Sequence, residues 1–545
     1  MRRLVSIVAD HELVLLGLAT PLLLFPGIWT PVGVVLIALA WACRWIAFGH
    51  LSARTAMDVP ILVIMLMAVV SLIPSVALDL SLNRMCIYLL GVSLFYGMVN
   101  GLHTERDIHY VGIALVLLGL TVAVMASLGT DWEIGRLIEI PAIYERLPGP
   151  IIRGLPGSGV IEEYDLFNPR VVAGALAILA AVPLAYLVFG KGWKLRLLSG
   201  LTAMVMAAVL FLTQAPQGVL GLGAGLILIA VWRSRWFLVS LVLGLGGLLV
   251  AWRFLGVGKR VSDGLTPETV DTLAFGIQSR IVNGLRGIGM IRDMPYTGGG
   301  LNTFPAIDGL YSFGRANADH AHNLLIQTGV DLGITGAVAL LALLAAFGYT
   351  VLRVYRTRPE GNQRALLIGM CGAVAAWLAY GLLDSITLGH KPAAALWVLL
   401  GLSASMRFRS VPSNVEPVPF RARFNRRWLL VVLLPVLLLL AVIGLTRHKL
   451  FGACYLNLGV MEAHRALAAV DTPDLAAQHL FLAEEYMRRS LEWDPSRQRT
   501  QRLLEWVLQA DISKTRWPRE TASFEQPNLP HLWYATGPHE WGCLA

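Results

Sequence analysis

Apolar segments long enough to cross a lipid bilayer recur along this chain, and they constrain its fold more than any other feature. Of its 545 residues, 56% are hydrophobic and only 14% are charged, against roughly 25% charged residues in an ordinary soluble domain. One helix of about 20 apolar residues crosses the hydrocarbon core. The sequence therefore predicts an all-α, polytopic helical membrane protein with about 12–13 transmembrane helices.

The predicted spans alternate with short loops, and positive charge gathers in every second loop. Lys and Arg total 44 against 35 Asp and Glu, a formal net charge of +9. The excess lies in alternate loops, for example at Arg54, Arg353 and Arg407. Because short positive loops stay in the cytoplasm, this charge indicates topology rather than nucleic-acid binding. The predicted spans are residues 11–28, 30–48, 59–78, 85–100, 108–128, 171–189, 197–213, 218–232, 236–253, 323–352, 365–383, 392–408 and 428–446.

Two loops on the opposite side, at about residues 129–170 and 254–322, are long enough to be functional. Residues 277–292 of the second loop are amphipathic, with arginines interspersed, and predict an interfacial helix within reach of lipid headgroups. We expect residues 1–446 to form one membrane domain. Residues 447–545 are expected to form a helical tail on the extracytoplasmic side.

The tail repeats apolar positions at helical spacing over residues 455–509, a pattern similar to one to one and a half tetratricopeptide-type units. Such a small number of repeats is seldom stable by itself. The tail is therefore expected either to pack on the membrane domain or to dock a protein partner. The five cysteines lack zinc-type spacing, and we predict neither a metal site nor a cofactor. For Cys454 and Cys543 in the tail, two free thiols are favoured over a permitted bridge.

Polar residues cluster from Asn317 to Asn323, where a long predicted span begins. An imidazole held there, as at His322, stays largely neutral near about pH 7, as a general base requires. The alternative is that His320 and His322 only cap the helix together with Asp319 and Asn323, and both interpretations stay open.

Asp331 lies within that predicted span. It follows His322 by nine residues, which at about 100° per residue places it on the opposite helix face. We therefore expect it to hold a neighbouring helix or a basic residue rather than to orient the histidine.

Several motifs then resemble one family. The string His322-Asn323-Leu-Leu followed by Asp331-Leu-Gly333-Ile-Thr-Gly336 is similar to the signature of the O-antigen ligase and O-antigen polymerase family of bacterial membrane glycosyltransferases. Further similar segments, in the family's order and within roughly residues 60–410, are Phe167-Asn168-Pro169-Arg170, Ser279-Arg280, the block from Gly289 to Phe304, and Gly381-Leu-Leu-Asp384.

The resemblance implies a metal-independent, inverting transfer of a glycan from undecaprenyl diphosphate to an acceptor hydroxyl, on the outer side of the bacterial cytoplasmic membrane. By resemblance, His322 is the base and Arg280 holds the diphosphate, a task that suits the bidentate guanidinium. The alternative for Arg280 is a lipid-headgroup anchor. A saccharide, lipid or protein acceptor is compatible with this chemistry, and the tail mildly favours a polymerase.

One departure from the family affects the donor site. Where the family carries a Ser-Arg-Gly-like turn, this chain reads Ala215-Pro216-Gln217-Gly218. Gln217 brings hydrogen bonds but no charge, so a second cation for the diphosphate must come from elsewhere. Arg170 is favoured, with Arg153 and Arg292 as candidates. Together with Gln217, His320, Asn323 and Asp331, the cations Arg170 and Arg292 form the predicted substrate-binding set.

Two other functions stay open. One is a transporter of a lipid-linked sugar or another solute, although charged groups lie at one membrane face and no paired broken helices mark two matching halves. The other is a non-catalytic scaffold of polysaccharide assembly, which the missing arginine at Gln217 keeps open.

Overall fold

A computed structural model describes residues 8–130, 132, 168–234, 239, 267–308, 311, 318–409, 448–469 and 472–510. The regular structure within these residues is helical throughout. In chain order the helices are α1 Glu12–Leu24, α2 Thr30–Phe48, α3 Asp58–Val70, α4 Leu78–Gly101, α5 Glu105–Gly129, α6 Pro169–Phe189, α7 Trp193–Leu212, α8 Pro216–Arg233, α9 Pro267–Asp293, α10 Phe304–Ile307, α11 Leu324–Arg356, α12 Gly361–Tyr380, α13 Ala393–Arg409, α14 (residues 448–468), α15 Pro473–Trp493 and α16 Gln498–Gln509.

These helices confirm the predicted class of an all-α, multi-pass membrane protein. Eight of the described helices are long and apolar enough to cross a bilayer, namely α2, α4, α5, α6, α7, α8, α11 and α12. Shorter apolar helices α1, α3 and α13 match three more predicted spans. The spans predicted at residues 236–253 and 428–446 lie outside the described residues.

The chain divides into two compact units. The first comprises residues 1–308 and 318–426, and the second comprises residues 309–317 and 427–545. Within the first, α12 packs on α6 and α8, α13 packs on α4, and α3 and α9 pack on α11. Apolar side chains such as Leu18, Ile46 and Leu62 stay exposed on the outer helices, as expected of a surface that faces lipid.

The second unit contains α14, α15 and α16, which are the helices that the periodicity of the tail predicts. Tyr311 also belongs to this unit, where its ring lies 6.3 Å from that of His464. Cys454 is exposed, and Cys543 lies outside the described residues. The predicted boundary at residues 446/447 and the relation to tetratricopeptide units stay predictions.

Helix α11 breaks at Gly333, where the backbone adopts φ 70°. The loop after α9 fills the break, since Ile334 N donates to Pro295 O at 2.9 Å and Gly299 N donates to Val330 O at 2.7 Å. The carboxylate of Asp331 accepts a bond from Gln327 at 2.7 Å and another from the backbone of Asn302. Asp331 therefore fixes a loop against its helix.

Gly298 provides the closest approach in this docked loop. Its φ is +68°, and a Cβ added there would lie 2.5 Å from the carbonyl oxygen of Asp331. We expect Gly298→Ala to destabilise the fold by about 1–3 kcal/mol, because both the backbone conformation and the contact oppose a side chain. Thermal unfolding in detergent checks this. Gly223→Ala in α8 is the control, since its Cβ would meet nothing within 4 Å; equal melting temperatures for the two variants would contradict the account.

Candidate active site

Helices α6, α8 and α11 of the first unit begin close to one another. The residues at their N-termini explain why each helix begins where it does. Asn168 caps α6 by accepting a bond from Arg170 N, with Pro169 at the first helical position. Pro216 is likewise the first residue of α8, here without a side-chain cap, and is followed by Gln217. Asn323 caps α11 by accepting bonds from the next backbone amides. Proline and asparagine suit these positions because the first helical amides lack intrahelical partners.

Asp384, in the turn after α12, connects these helix starts. Its Oδ2 accepts a bond from Gln217 Nε2 at 3.1 Å and lies 3.0 Å from the hydroxyl of Tyr380. Its Oδ1 accepts the backbone N–H of Ser385 at 2.8 Å. The same tyrosine hydroxyl lies 3.0 Å from the carbonyl of Arg170. A buried carboxylate needs such donors, so Asp384 is anchored on both oxygens.

Two histidines lie beside this carboxylate. His320 Nε2 is 3.3 Å and His322 Nδ1 is 4.0 Å from Asp384 Oδ1, and the two rings meet edge to face with centroids 4.1 Å apart. His320 Nδ1 accepts the backbone N–H of His322 at 3.2 Å, so its proton resides on Nε2 and points to Asp384. His322 has φ +52°, a conformation that costs a non-glycine residue free energy and concentrates at functional sites.

The spacing of this cluster also fits a metal ion, because one ligand atom from each of His320, His322 and Asp384 lies within 4.8 Å of the others. The hydrogen bonds oppose that use. A metal on His320 Nε2 would move the ring proton to Nδ1, which already accepts the amide of His322. The arrangement therefore suits proton transfer better than metal binding.

Two arginines border the histidine pair. Arg280, on α9, donates from Nε to the carbonyl of Leu383 at 3.1 Å and from Nη1 to the carbonyl of Gly276 at 3.0 Å. The first bond ties α9 to the turn that carries Asp384, and the second lies within α9. Arg170 is exposed at the start of α6. The charges of both arginines act on His322, so the site has two cations near this histidine.

The electrostatics keep the histidines neutral. Burial, together with the nearby charges of His320, Arg280 and Arg170, lowers the pKa of His322 to about 3, although Asp384 opposes the shift. Burial likewise lowers the pKa of His320, again against the charge of Asp384. Since the ordinary value is about 6.5, both rings are unprotonated at neutral pH.

The structure thus brings together five of the predicted site residues, namely Arg170, Gln217, Arg280, His320 and His322. Asn323 acts as the cap of α11, so the capping alternative applies to it and not to the histidines. Arg292 is exposed on α9, twelve residues after Arg280 and therefore about 18 Å further along the helix. Arg153 lies outside the described residues.

Asp384 and Tyr380 are absent from the predicted site. The signal for Asp384 was present, because the string Gly381-Leu-Leu-Asp384 carries part of the family resemblance. Its partner Gln217 is 167 residues away in sequence, so no local pattern reveals the contact. Tyr380 had no signal beyond its position one turn before Asp384.

Helix α9 is amphipathic as predicted, but its arginines do not share one environment. Ile277, Ile281, Leu285 and Ile288 form an exposed apolar stripe. Arg286 instead forms a buried ion pair with Asp308, whose Oδ2 lies 2.9 Å from Arg286 Nη1. The same oxygen accepts the amide of Ala318 at 3.2 Å. The expectation of a headgroup contact is therefore wrong for Arg286, which holds the chain on both sides of residues 309–317.

The neutral state of the pair is measurable with diethyl pyrocarbonate, which acylates only an unprotonated imidazole. The pKa of about 3 predicts that the reaction at His322 changes less than about twofold between about pH 7.5 and 5. The reaction at His320, whose pKa is also lowered, should fall less than that of a free imidazole. Free N-acetylhistidine, as control, should slow more than tenfold over the same interval. Peptide-resolved mass spectrometry measures the rate, and a titration near about pH 6.5 at these residues would refute the assignment.

Comparison with known proteins agrees with the motifs. The family model described as O-Antigen ligase matches residues 201–341, and no curated protein matches the chain. The matched segment contains Gln217, Arg280, His320 and His322 and ends before Asp384. The match supports an enzyme of glycosyltransferase type. Over residues 201–341 the chain therefore matches the O-Antigen ligase family, which agrees with the resemblance that the motifs indicated.

Proposed function

We propose that this protein transfers a glycan from undecaprenyl diphosphate to an acceptor hydroxyl at the extracytoplasmic face of the bacterial inner membrane. One observation carries the proposal. An unprotonated histidine, His322, lies beside the anchored carboxylate Asp384 and within the influence of two arginines. This set supplies a base, a group that stabilises the protonated base, and cations for a diphosphate.

The donor diphosphate binds to Arg280 and Arg170 in this proposal. Guanidinium groups bind phosphate oxygens bidentately, and the N-termini of α6, α8 and α11 add partial positive charge at the same place. A diphosphate so held leaves without a proton, because the cations stabilise the charge that develops on it. No general acid is then required.

The acceptor is activated by His322. Its Nε2 takes the proton of the acceptor hydroxyl while the acceptor oxygen bonds to the anomeric carbon and the bond to the diphosphate breaks. Attack from the face opposite the leaving group inverts the configuration. The imidazolium that forms is stabilised by Asp384, whose Oδ1 is 4.0 Å from Nδ1; such contacts often tighten once substrate is bound.

The low pKa of His322 makes its basicity dependent on the donor. Arg280 and Arg170 both lower that pKa, and a bound diphosphate would offset their charge. The pKa of His322 then rises toward the range in which a histidine is an effective base. Acceptor activation is thus coupled to the presence of the donor, which protects the enzyme against unproductive proton transfer.

Gln217 supports Arg170 as the second cation. Gln217 is buried and donates to Asp384 at 3.1 Å, so a positive side chain at this position would pair with the carboxylate instead of the diphosphate. The neutral amide leaves the charge of Asp384 for the histidines. Arg170, whose backbone carbonyl lies 3.0 Å from the hydroxyl of Tyr380, is the cation that we propose for the donor.

The remaining expectations follow the predicted topology. The site lies at the end of α11 opposite its arginines Arg353 and Arg356, and positive loops stay in the cytoplasm, so the histidines face outward. The second unit, with helices α14 to α16, presents a saccharide or protein acceptor or docks a protein partner. A lipid acceptor would make the protein a ligase.

Purified protein in detergent, incubated with a lipid-diphosphate-linked oligosaccharide and candidate acceptors, tests the proposal. Release of undecaprenyl diphosphate should fall by about 10²–10⁴ in His322→Ala, the usual contribution of a general base. Arg170→Ala should abolish transfer while its gel-filtration profile in detergent stays that of the wild type. Arg364→Ala, outside the site, is the matched control.

Three results would contradict this account. Release that does not depend on His322 would show that this residue is not the base. Normal transfer by Arg170→Ala would show that Arg170 is not the second cation. Flux of the lipid-linked sugar across proteoliposomes without release would establish a transporter instead.

A further inference from the structure

A cleft of about 380 Å³ opens in the first unit, far from the histidines. It is lined by Arg54 and Thr55 before α3, Tyr349 and Thr350 on α11, and Arg407 at the end of α13. Tyr349 follows the cap residue Asn323 by 26 residues, or about 40 Å of helix. That distance exceeds the hydrocarbon thickness of about 30 Å, so the cleft lies at the opposite membrane surface from Asp384.

Positive charge is concentrated at this cleft. The guanidinium of Arg407 lies 5.0 Å and that of Arg353 5.3 Å from the centroid of the Tyr349 ring. The two charges are therefore within about 10 Å of each other, comparable to the screening length of physiological salt. Arg54 adds a third positive charge on the lining. No acidic residue is among the lining residues that the structure describes.

The carboxylate of Asp58, three residues after Thr55, is already engaged in hydrogen bonds. Asp58, at the start of α3, accepts bonds from the amide and the hydroxyl of Thr55 at 2.9 and 2.6 Å and from Tyr96 at 3.2 Å. The hydroxyl of Tyr349 accepts a bond from Arg353 Nε at 3.1 Å, so its own proton is available to an oxygen in the cleft. Arginine forks beside a hydroxyl donor are the groups that recognise a phosphate.

An apolar surface begins where the cleft ends. Val59, Leu62, Leu66 and Val69 of α3 form a stripe at helical spacing and are 71%, 68%, 58% and 51% exposed. Val59 comes only four residues after Thr55, which lines the cleft. A ligand with a phosphate in the cleft can therefore extend hydrocarbon along this stripe. An inorganic anion would contact only the cleft and not the apolar stripe of α3.

We propose that this cleft binds the phosphate head group of an anionic phospholipid, with its acyl chains along the exposed stripe of α3. Each of the three segments that line the cleft contributes an arginine, namely Arg54, Arg353 and Arg407. The charge pattern assigns all three to the cytoplasmic side. The cytoplasmic leaflet is rich in anionic lipids, and basic pockets between helices on that side bind their head groups.

Lipid exchange on the purified full-length chain tests the proposal. The probes are phosphatidylglycerol, phosphatidylcholine and sodium phosphate, read by native mass spectrometry and by thermal shift. We expect wild-type protein to prefer phosphatidylglycerol over phosphatidylcholine at least tenfold. Arg54→Gln combined with Arg407→Gln should lose that preference.

Arg364→Gln is the matched control. Arg364 also lies over an aromatic ring, that of Phe189 at 5.7 Å, together with Arg233 at 5.9 Å, but neither arginine lines the cleft. This variant should keep the wild-type preference. Should the double variant fail to fold, Arg407→Lys decides, because it keeps the charge and loses the planar fork; a several-fold weaker preference is expected.

The proposal is overturned if the arginine variants retain the full preference for phosphatidylglycerol. It is also overturned if sodium phosphate alone produces the same arginine-dependent thermal shift as the lipid, since the site would then bind a free anion.

Discussion

The anchored carboxylate of Asp384 is the contact on which the rest of the site depends. It receives Gln217 from the start of α8 and the hydroxyl of Tyr380, which also reaches the start of α6. The same turn accepts Arg280 through the carbonyl of Leu383 and Leu324 through that of Gly381. Four helices are thus fixed around one charge. Removing a donor from a buried carboxylate costs free energy. The residues around the two histidines are therefore held in fixed positions.

That rigidity sets up an electrostatic balance. Burial acts most strongly against protonation of His322, His320, Arg280 and Arg170 add to it, and Asp384 acts in favour of protonation. Neutralising the two arginines would remove part of the opposition and leave Asp384 against burial and His320 alone. At the other end of α11, arginines gather around Tyr349 with no such counter-charge on the described cleft lining. The two membrane surfaces of the protein therefore present different chemistry to phosphate groups.

The spans and the family were predictable from the sequence because hydropathy and short motifs are local properties. The partners of Asp384 were not, since Gln217 and Asp384 meet only through tertiary packing across 167 residues. The helical spacing of apolar residues predicted helix α9. It could not show which face of that helix contacts lipid and which contacts protein, so the buried ion pair of Arg286 with Asp308 was missed. Arg170 and Arg292 are both exposed cations, and only the fold separates the one near His322 from the one further along α9.

The central claim is that His322 acts as the base, and chemical rescue tests it most directly. In His322→Gly, removal of the side chain leaves space for added imidazole. Added imidazole should restore release of undecaprenyl diphosphate in proportion to its unprotonated fraction, which changes across its own pKa of about 7. Arg280→Ala should gain nothing from imidazole. Activity in His322→Gly that is unaffected by imidazole, or that equals the wild type without it, would contradict the account.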